Sequence, residues 1–448
     1  MNSTSTVTTL LAGGCLLATA ALTAFAEEPA SDRDGRTAEV YRLADRLELF
    51  VDEHRIAERH GVELRLHPPK VMETVLKFDE PWEGPYAGYV TVMQDGDIYR
   101  MYYRGWPDLA EPELTCYAQS RDGVHWIKPN LGLFAFEGKT DNNIVWRRGY
   151  GSHNFTPFKD PRPGVPADQK FKALGRAPKG TKGLVAFASA DGFEWRPLDD
   201  EPVLTEGAFD SQNLVFWDPN KNCYVSYFRI LQDGVRWIAR SEKRDFLNWS
   251  DPEPIQIDGP PEHYYTNAVV PYFRAPHYYF AFPKRFVPGR KLLDEHEVAG
   301  ISEAVFLSSR DGLHFDRTFR EALIRPGLEA RNWGDRSNMV AWGILQTAQN
   351  EMSIYFSQHY RFDTHHMKRG TFRLDGIASA HADFEGGELI TKPFRFRGNK
   401  LLLNYSTSAS GSVRVEIQDQ SGKPVPGFTL DESQELYGDE ISGVYGWT

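Results

Sequence analysis

Cysteine is scarce in this chain of 448 residues, which contains three cysteines in all. Cys15 lies in an apolar amino-terminal segment, whereas Cys116 and Cys223 fall in different repeats of the sequence. Cysteines this few and this far apart exclude a disulfide framework and a cysteine-based metal cluster.

The chain also lacks an excess of positive charge. It has 51 lysines and arginines against 62 aspartates and glutamates, for a formal net charge of −11. This balance gives no overall attraction to nucleic acid or to an anionic membrane, so neither is expected as a partner. After residue 26, no stretch of the sequence is long and apolar enough to cross a membrane.

Long amphipathic helical patterns are few, and the best of them covers residues 38–57. The chain contains 38 glycines, 28 prolines and 13% aromatic residues, a composition that suits many short strands joined by turns. We therefore predict an all-β fold, with residues 27–75 as an amino-terminal extension of helix or strand.

The first residues predict an export signal. Residues 9–26 are mostly apolar, and Ala24-Phe25-Ala26 fits a small-x-small cleavage site. We predict a signal peptide over residues 1–26 and a secreted or periplasmic mature protein. The run from Leu11 to Cys15 resembles a lipoprotein box, which leaves lipid anchoring as the alternative.

A turn phrase recurs along the chain, with serine, aspartate, glycine and an aromatic residue at fixed spacing. Ser120–Trp126, Ser189–Trp195 and Ser309–Phe315 are full copies, and Ser241–Trp249 lacks the glycine. Aspartate accepts hydrogen bonds from the backbone ahead of it and glycine adopts positive φ, so the phrase predicts a tight turn between two strands. Repeats of roughly 50 to 70 residues that each hold several short strands indicate a β-propeller.

A second repeat, a polar cluster followed by an apolar strand, precedes each turn phrase. Its members begin at Tyr86, Ser152, Asp210, Tyr264 and Asp335. They predict a five-bladed propeller over residues 76–388, in which the heads of the innermost strands line a central funnel. The predicted blades are 76–145, 146–205, 206–257, 258–330 and 331–388. Residues 389–448 predict a β-sandwich that is partial unless residues 30–75 contribute strands.

Carboxylates occur at three of the strand heads. Asp210, Glu262 and Asp335 are the candidate catalytic residues, and Glu83 is a candidate ligand-binding residue of the first blade. Cleavage of a glycosidic bond uses two such groups, one as proton donor and one as base or nucleophile. Glu262, beside two tyrosines, is the predicted donor, because burial there would raise its pKa. The alternative for each of these residues is a structural carboxylate.

Basic residues end the second strand of most repeats, and they favour a carboxylate, sulfate or phosphate group on the ligand. Their alternative role is pairing with the funnel carboxylates. Aromatic residues at the mouth could stack on sugar rings. With Glu83, the candidate substrate-binding residues are Tyr86, Arg104, His153, Arg229, His263, Tyr265, Arg285, Arg336 and His359.

No cofactor is expected. His365 and His366 are adjacent, so on a strand they point to opposite faces and make a poor metal chelate. A structural cation on the axis would have His153, His263 and His359 as its candidate ligands.

The serine-aspartate-tryptophan turns and the carboxylates at the strand heads resemble the five-bladed propeller glycosidases, such as glycoside hydrolase families 32, 43 and 117. The resemblance covers about residues 76–388, and the tail resembles the β-sandwich appended to family 32 enzymes. The motif Trp-Met-Asn-Asp-Pro-Asn-Gly of family 32 is missing, so no catalytic role carries over residue by residue.

The resemblance and the residues together lead to three hypotheses for function. The first is a secreted hydrolase that cleaves glycosidic bonds of a poly- or oligosaccharide, including an anionic one. The second is a glycoside phosphorylase with a basic phosphate clamp, and the third is a propeller that binds carbohydrate without turnover.

Overall fold

This computed structural model describes residues 5–10, 14–19, 40–296 and 298–447, with the backbone alone for the first two ranges. The described residues form β-strands and two short 3₁₀ turns, Ala167–Gln169 and Ala330–Asn332, and no α-helix. The predicted all-β class is confirmed. No helix in the described part of the chain is long and apolar enough to span a membrane.

The chain divides into two compact units. The larger runs from Pro69 to Thr371, and the smaller combines the residues up to Pro68 with those from Phe372 onwards. The amino-terminal strands of the smaller unit are β1 Ser5–Leu10, β2 Gly14–Thr19, β3 Tyr41–Ala44, β4 Leu47–Glu48, β5 Ile56–His60 and β6 Val62–Leu66.

The first half of the larger unit contains three antiparallel sheets of four strands, each built from consecutive segments of the chain. After β7 (Lys70–Lys77), the first sheet comprises β8 Gly88–Asp95, β9 Ile98–Gly105, β10 Leu114–Ser120 and β11 Ile144–Trp146. The second comprises β12 Gly151–Lys159, β13 Phe171–Arg176, β14 Leu184–Ser189 and β15 Arg196–Pro197. The third comprises β16 Leu214–Asp218, β17 Cys223–Gln232, β18 Val235–Lys243 and β19 Glu253–Pro254.

The fourth segment of the larger unit is split into two sheets, of five and three strands. Its strands are β20 Gln256–Ile257, β21 His263–Tyr264, β22 Val270–Tyr272, β23 Ala275–Ala281, β24 Lys284–Val287, β25 Ile301–Ala304, β26 Leu307–Ser309 and β27 His314–Asp316. The last sheet comprises β28 Leu345–Ala348, β29 Glu351–Gln358 and β30 His366–Arg373, and it takes β7 from the start of the unit as its fourth strand.

The turn phrases adopt one geometry. In each full copy the serine Oγ accepts from the glycine N–H at 2.9 Å. The aspartate Oδ1 accepts from the backbone N–H groups of the two residues that follow the glycine. The glycines have positive φ, between 73° and 84°. Asp245 in the incomplete copy accepts the same pair of bonds, from Leu247 and Asn248. Asp122, Asp191, Asp245 and Asp311 are therefore structural.

Tyrosine hydroxyls join these turns to neighbouring sheets. Each donates to the carbonyl of a turn glycine in the next sheet, and the last sheet bonds to the first. The bonds are Tyr102 to Gly192 at 3.0 Å, Tyr227 to Gly312 at 2.6 Å and Tyr355 to Gly123 at 2.6 Å. The sheets of the larger unit thus contact one another in a closed order.

The strand heads are joined in the same order. The Asn154 amide donates to the Ser211 carbonyl of the next sheet, and the Asn338 amide donates to the Ser302 carbonyl at 3.0 Å. Both asparagines have φ near 60°, a conformation that asparagine adopts more readily than most residues. The ring closes where the Trp342 N–H donates to Val90 O at 2.8 Å. The repeated asparagine is explained by these bonds.

The smaller unit contains the remaining strands β31 Ala378–Ala382, β32 Glu388–Thr391, β33 Phe394–Phe396, β34 Lys400–Ser406, β35 Arg414–Asp419 and β36 Asp439–Tyr445. One sheet has the order β35-β1-β32-β5 and the other β36-β34-β2-β31-β6. Because β31 pairs with β6 and β32 pairs with β5, residues 378–391 belong to this unit and not to the propeller segment predicted over 76–388.

The described part of the amphipathic segment, residues 40–57, contains strands and no helix. Leu43, Leu47 and Phe50 are buried among residues of the smaller unit, and β3 pairs in parallel with β33. The carboxylate of Asp52 accepts from the His54 N–H in a turn before β5. Packing against the carboxyl-terminal strands outweighs the local helical pattern here.

The segment predicted as a signal peptide lies partly outside the described residues. Its described parts, β1 and β2, each lie between two other strands of the smaller unit. Cleavage after Ala26 would remove both strands, so the signal peptide stays a prediction that the mass of the mature chain would test.

Candidate functional site

A bulge at the head of β12 exposes His153 to the funnel side of its sheet. The pairing of β12 with β13 is interrupted between Gly151 and Thr156. The residues between them, which include the left-handed Asn154, are thus released from the strand ladder. A similar break follows Gly88 in β8, where Tyr89 has a φ of 51°.

His153 bridges two carboxylates. Its Nε2 lies 2.9 Å from Asp210 Oδ1, and its Nδ1 lies 2.7 Å from Glu113 Oε2. Glu113 in turn accepts from Arg104 Nη1 at 3.2 Å. The sequence predicts three of these four residues, and Glu113 was missed because it lies in the β9–β10 loop outside both repeats.

Both carboxylates beside His153 are ionised. Burial opposes the charge of Asp210, but the hydrogen bond and charge of His153, with the charges of Arg229 and Arg336, hold its pKa well below its usual value. Burial is likewise outweighed at Glu113, where the bond from His153 and the charge of Arg104 lower the pKa. Each ring nitrogen of His153 faces an ionised carboxylate, so the ring is held from both sides.

Asp210 is the open member of this group. Its side chain is 55% exposed, whereas those of His153 and Glu113 are 14% and 13% exposed. Arg229 Nη2 lies 3.7 Å from its Oδ2. The site therefore presents an exposed, ionised carboxylate next to the His153 ring.

Four cations surround the ring of Tyr265. The side chain of Tyr265 is buried, and its backbone N–H donates to Lys284 O at 2.8 Å. The distances to the ring centroid are 3.9 Å for Lys284 Nζ, 5.0 Å for Arg229 Cζ, 5.4 Å for Arg336 Cζ and 5.6 Å for Arg236 Cζ. We call these four side chains the Tyr265 cation group.

Asp335 is buried and held from several sides. Its Oδ1 lies 2.9 Å from His296 Nε2 and accepts from Arg361 Nε at 3.0 Å. Burial would raise the pKa of Asp335, but His296, Arg361 and the charge of Lys284 hold it well below its usual value. A buried carboxylate with these partners orients the neighbouring Arg336 and is not available as a proton donor.

Further aromatic residues border the site. Arg104 Cζ lies 4.6 Å from the ring of Tyr89, and the Arg104 Nη2 donates to the Tyr86 carbonyl at 2.8 Å. Burial, followed by the charge of Tyr265, raises the pKa of Tyr89 well above its usual value, so its hydroxyl remains a donor. Tyr360 accepts from Arg336 Nη1 at 3.0 Å. Tyr89, Tyr360, His296 and Arg361 carry no repeat signal in the sequence.

Glu262 and Arg285 lie on the other face of β24, contrary to expectation. Consecutive strand residues point to opposite faces, so Arg285 points away from the Tyr265 cation group that contains Lys284. Arg285 Nη1 donates to Glu262 Oε1 at 2.5 Å, and Arg317 Nε lies 3.2 Å from Glu262 Oε2. Burial is outweighed by Arg285, Tyr264 and Arg317, which lower the pKa of Glu262. A lowered pKa does not suit the predicted proton donor.

Glu83 is also placed differently from the prediction. Its side chain is fully buried, accepts from Tyr103 at 2.5 Å and pairs with Lys128 at 2.7 Å. Burial raises its pKa despite these partners. Enclosed in this way, Glu83 supports the first sheet and does not face a ligand.

The two remaining histidines lie in separate surroundings. His263 Nδ1 accepts from the Arg236 backbone at 3.2 Å, and burial with the charge of Arg236 lowers its pKa. His359 lies 3.0 Å from Thr364, and burial with the charge of His366 lowers its pKa. Within the described ranges, no three histidine, cysteine, aspartate or glutamate residues are grouped so that they could hold a metal ion.

A cavity of about 260 Å³ borders the Glu262 side of β24 and β25. Glu303, which is bound by Arg285, forms part of its wall, and Trp333 forms another part. The Trp333 Nε1 donates to Gly327 O at 2.9 Å, which fixes the indole. The complete lining is Val287, Arg290, Ile301, Glu303, Arg325, Pro326, Gly327 and Trp333.

No protein-family model matches the chain. Two proteins of Mycobacterium tuberculosis described as uncharacterized, from strains CDC 1551 and H37Rv, are each 34% identical to it over 136 residues. That match covers 29% of this chain and 40% of each relative, so the chain spans less than half of their length.

Solved structures with a similar chain path include proteins described as a glycoside hydrolase, a β-1,2-mannobiose phosphorylase from Listeria innocua and an α-L-arabinanase from Penicillium chrysogenum. Their identities are 12%, 11% and 12%, and their TM-scores are 0.46, 0.44 and 0.41. The matches cover 68%, 68% and 69% of this chain and 92%, 98% and 99% of the other chains. Because these TM-scores are below 0.5, the likenesses carry no argument about the function of this chain.

Proposed function

We propose that this protein is an exported five-bladed propeller enzyme that hydrolyses glycosidic bonds of an oligo- or polysaccharide at Asp210. One observation carries the proposal: an exposed, ionised Asp210 carboxylate lies 2.9 Å from His153 Nε2 at the strand heads. The resemblance of the turns and strand heads to propeller glycosidases supports the choice of substrate.

Hydrolysis of a glycosidic bond needs one group that accepts a proton from water and one that protonates the leaving oxygen. Asp210 is ionised and exposed, so its carboxylate is available to accept the proton of the attacking water. His153 Nε2 lies at the same opening, and we assign it the donation of a proton to the leaving oxygen. Glu113, on the opposite ring nitrogen, holds the ring in place.

This assignment changes the set of catalytic candidates. Asp210 is retained, His153 moves from ligand binding to proton transfer, and Glu262 and Asp335 become structural.

The test is turnover of neutral, uronic and sulfated oligosaccharides, measured as released reducing ends. We expect the wild type to hydrolyse at least one substrate without phosphate and Asp210→Asn to lose that activity. Asp97→Asn is the matched control, because Asp97 is exposed at the β8–β9 turn, at the opposite end of its sheet from the strand heads. Full activity of Asp210→Asn would exclude the proposal.

A phosphorylase is the second candidate, and the Tyr265 cation group favours it because it could bind phosphate. Cleavage that occurs only when phosphate is added, with a sugar phosphate as product, would replace hydrolysis by phosphorolysis. Saccharide binding without turnover under either condition, unchanged in Asp210→Asn, would instead identify a binding protein.

A further inference from the structure

We propose that Arg229, Lys284 and Arg336 form a binding site for a singly charged oxyanion, a carboxylate or sulfate ester carried by the saccharide, beside Asp210. The saccharide in this statement rests on the proposed function, whereas the anion site follows from the charges of the molecule. The occupant is a substituent of the sugar and not a free ion.

Basic side chains outnumber carboxylates around Tyr265. The Tyr265 cation group contributes four basic side chains within 5.6 Å of one ring centroid. The neighbouring carboxylates are Asp210 and Asp335. Asp210 is bound by His153, and Asp335 is bound by His296 and Arg361. The hydrogen-bond partners of both carboxylates therefore lie outside the cation group, and the two carboxylates oppose only part of its charge.

Within the part of the chain that the structure describes, Arg229, Lys284 and Arg336 have no closely bound carboxylate. Arg229 Nη2 approaches Asp210 only to 3.7 Å, and Arg336 Nε approaches Asp335 only to 3.6 Å. Lys284 Nζ donates to a backbone carbonyl, that of Asp335, at 3.2 Å. Across the described residues, none of the three cations has a carboxylate within hydrogen-bond distance.

The same three side chains are largely buried. The side chains of Arg229 and Arg336 are 9% and 20% exposed, and Lys284 is fully buried. The Nε groups of both arginines are buried and have no hydrogen-bond acceptor among the described residues. Burial, followed by the charge of Arg336, lowers the pKa of Lys284 well below its usual value, which favours its neutral amine. Arg229 and Arg336 keep their charges, and two buried guanidinium groups beside an amine donor suit an oxyanion.

The charge of Asp210 determines which kind of anion is favoured. Asp210 is ionised and exposed next to Arg229, so it repels an incoming anion, and it repels a multiply charged phosphate more than a carboxylate or a sulfate ester. The geometry thus favours an acidic or sulfated sugar.

The experiment is calorimetric titration of the full chain carrying Asp210→Asn, so that binding is measured without turnover. The probes are trigalacturonate, its methyl ester, a sulfated trisaccharide, the desulfated trisaccharide and inorganic phosphate. We expect at least tenfold weaker binding of each neutral probe than of its charged counterpart, and a similar loss in Arg229→Gln and Arg336→Gln. Arg196→Gln, on the outer strand β15, is the matched control and should not change affinity.

Equal affinity for the charged and neutral probes would overturn the proposal, as would anion binding that survives in both arginine variants. Tight binding of inorganic phosphate, with no preference for charged sugars, would assign the site to a free ion instead. Heat denaturation of each variant shows whether it is folded, and Arg336→Gln serves if Arg229→Gln is not. If the protein binds charged probes more tightly than neutral ones but hydrolyses none of the substrates, the proposed function is excluded and the anion site is retained.

Discussion

The two faces of β24 both bring arginines and carboxylates together, but they differ in charge balance. On one face, Glu262 and Glu303 are matched by Arg285 and Arg317. On the other face, the Tyr265 cation group exceeds the carboxylates available to it. A matched set satisfies its own charges and stabilises the fold, whereas an unmatched set leaves donors for a ligand. Both faces carry the same types of residue, so the balance of charges, and not the residue types, distinguishes a structural set from a candidate binding site.

The largest expected difference between the faces is in catalysis. Asp210→Asn removes the proton acceptor and should lower kcat about 10²- to 10⁴-fold. Glu262→Gln, on the matched face, should keep kcat within about threefold, because hydrolysis does not use it. Initial rates on the substrate found by the oligosaccharide panel measure both. A large loss of kcat in Glu262→Gln would contradict the division between the faces.

Stability should show the opposite order. Glu262→Gln leaves the fully buried Arg317 without its carboxylate and should lower the free energy of unfolding by on the order of 2 kcal/mol. Asp210→Asn alters a half-exposed side chain and should change it by less than about 1 kcal/mol. Urea denaturation at neutral pH provides the comparison. The reverse order of the two losses would show that the unmatched face supports the fold.

A smaller effect is expected from acid. The pKa of Asp335 is lowered in the folded state, so its contribution to stability is present above its unfolded pKa of about 4 and is lost as pH falls below that value. Wild type should therefore lose more stability between pH 6 and pH 3 than Asp335→Asn does. Urea midpoints over this interval measure the difference. Parallel curves would show that the ion pairs of Asp335 do not stabilise the folded state.

The repeats predicted the fold better than the site. The turn phrase placed its aspartates correctly because an aspartate-glycine turn is a local structure, set by neighbouring backbone groups. The repeats also led to Asp210, His153, Arg336 and Tyr265, which belong to the polar clusters at the strand heads, and to Arg229, which lies in a second strand. These parts of the repeats converge in the closed ring.

The errors have a physical origin in strand alternation and long-range packing. Arg285 follows Lys284 directly, and a shift of one residue along a strand moves a side chain to the opposite face, where Arg285 pairs with Glu262. Glu113 comes from a loop whose path no local pattern determines. Likewise, the segment 38–57 forms strands because its partners come from the carboxyl-terminal third of the chain. None of these distant partners can be read from a local pattern.

The closure of the last sheet has a consequence for how the chain folds. Lys70 and Thr371 are paired in register between β7 and β30, although they stand at opposite ends of the larger unit. Bringing such distant segments together costs loop-closure entropy, and folds rich in distant pairings form slowly. During synthesis, β7 therefore stays unpaired until β30, at the end of the larger unit, has left the ribosome. The edge of β7 is thus the place where a chaperone or a premature contact would act on the nascent protein.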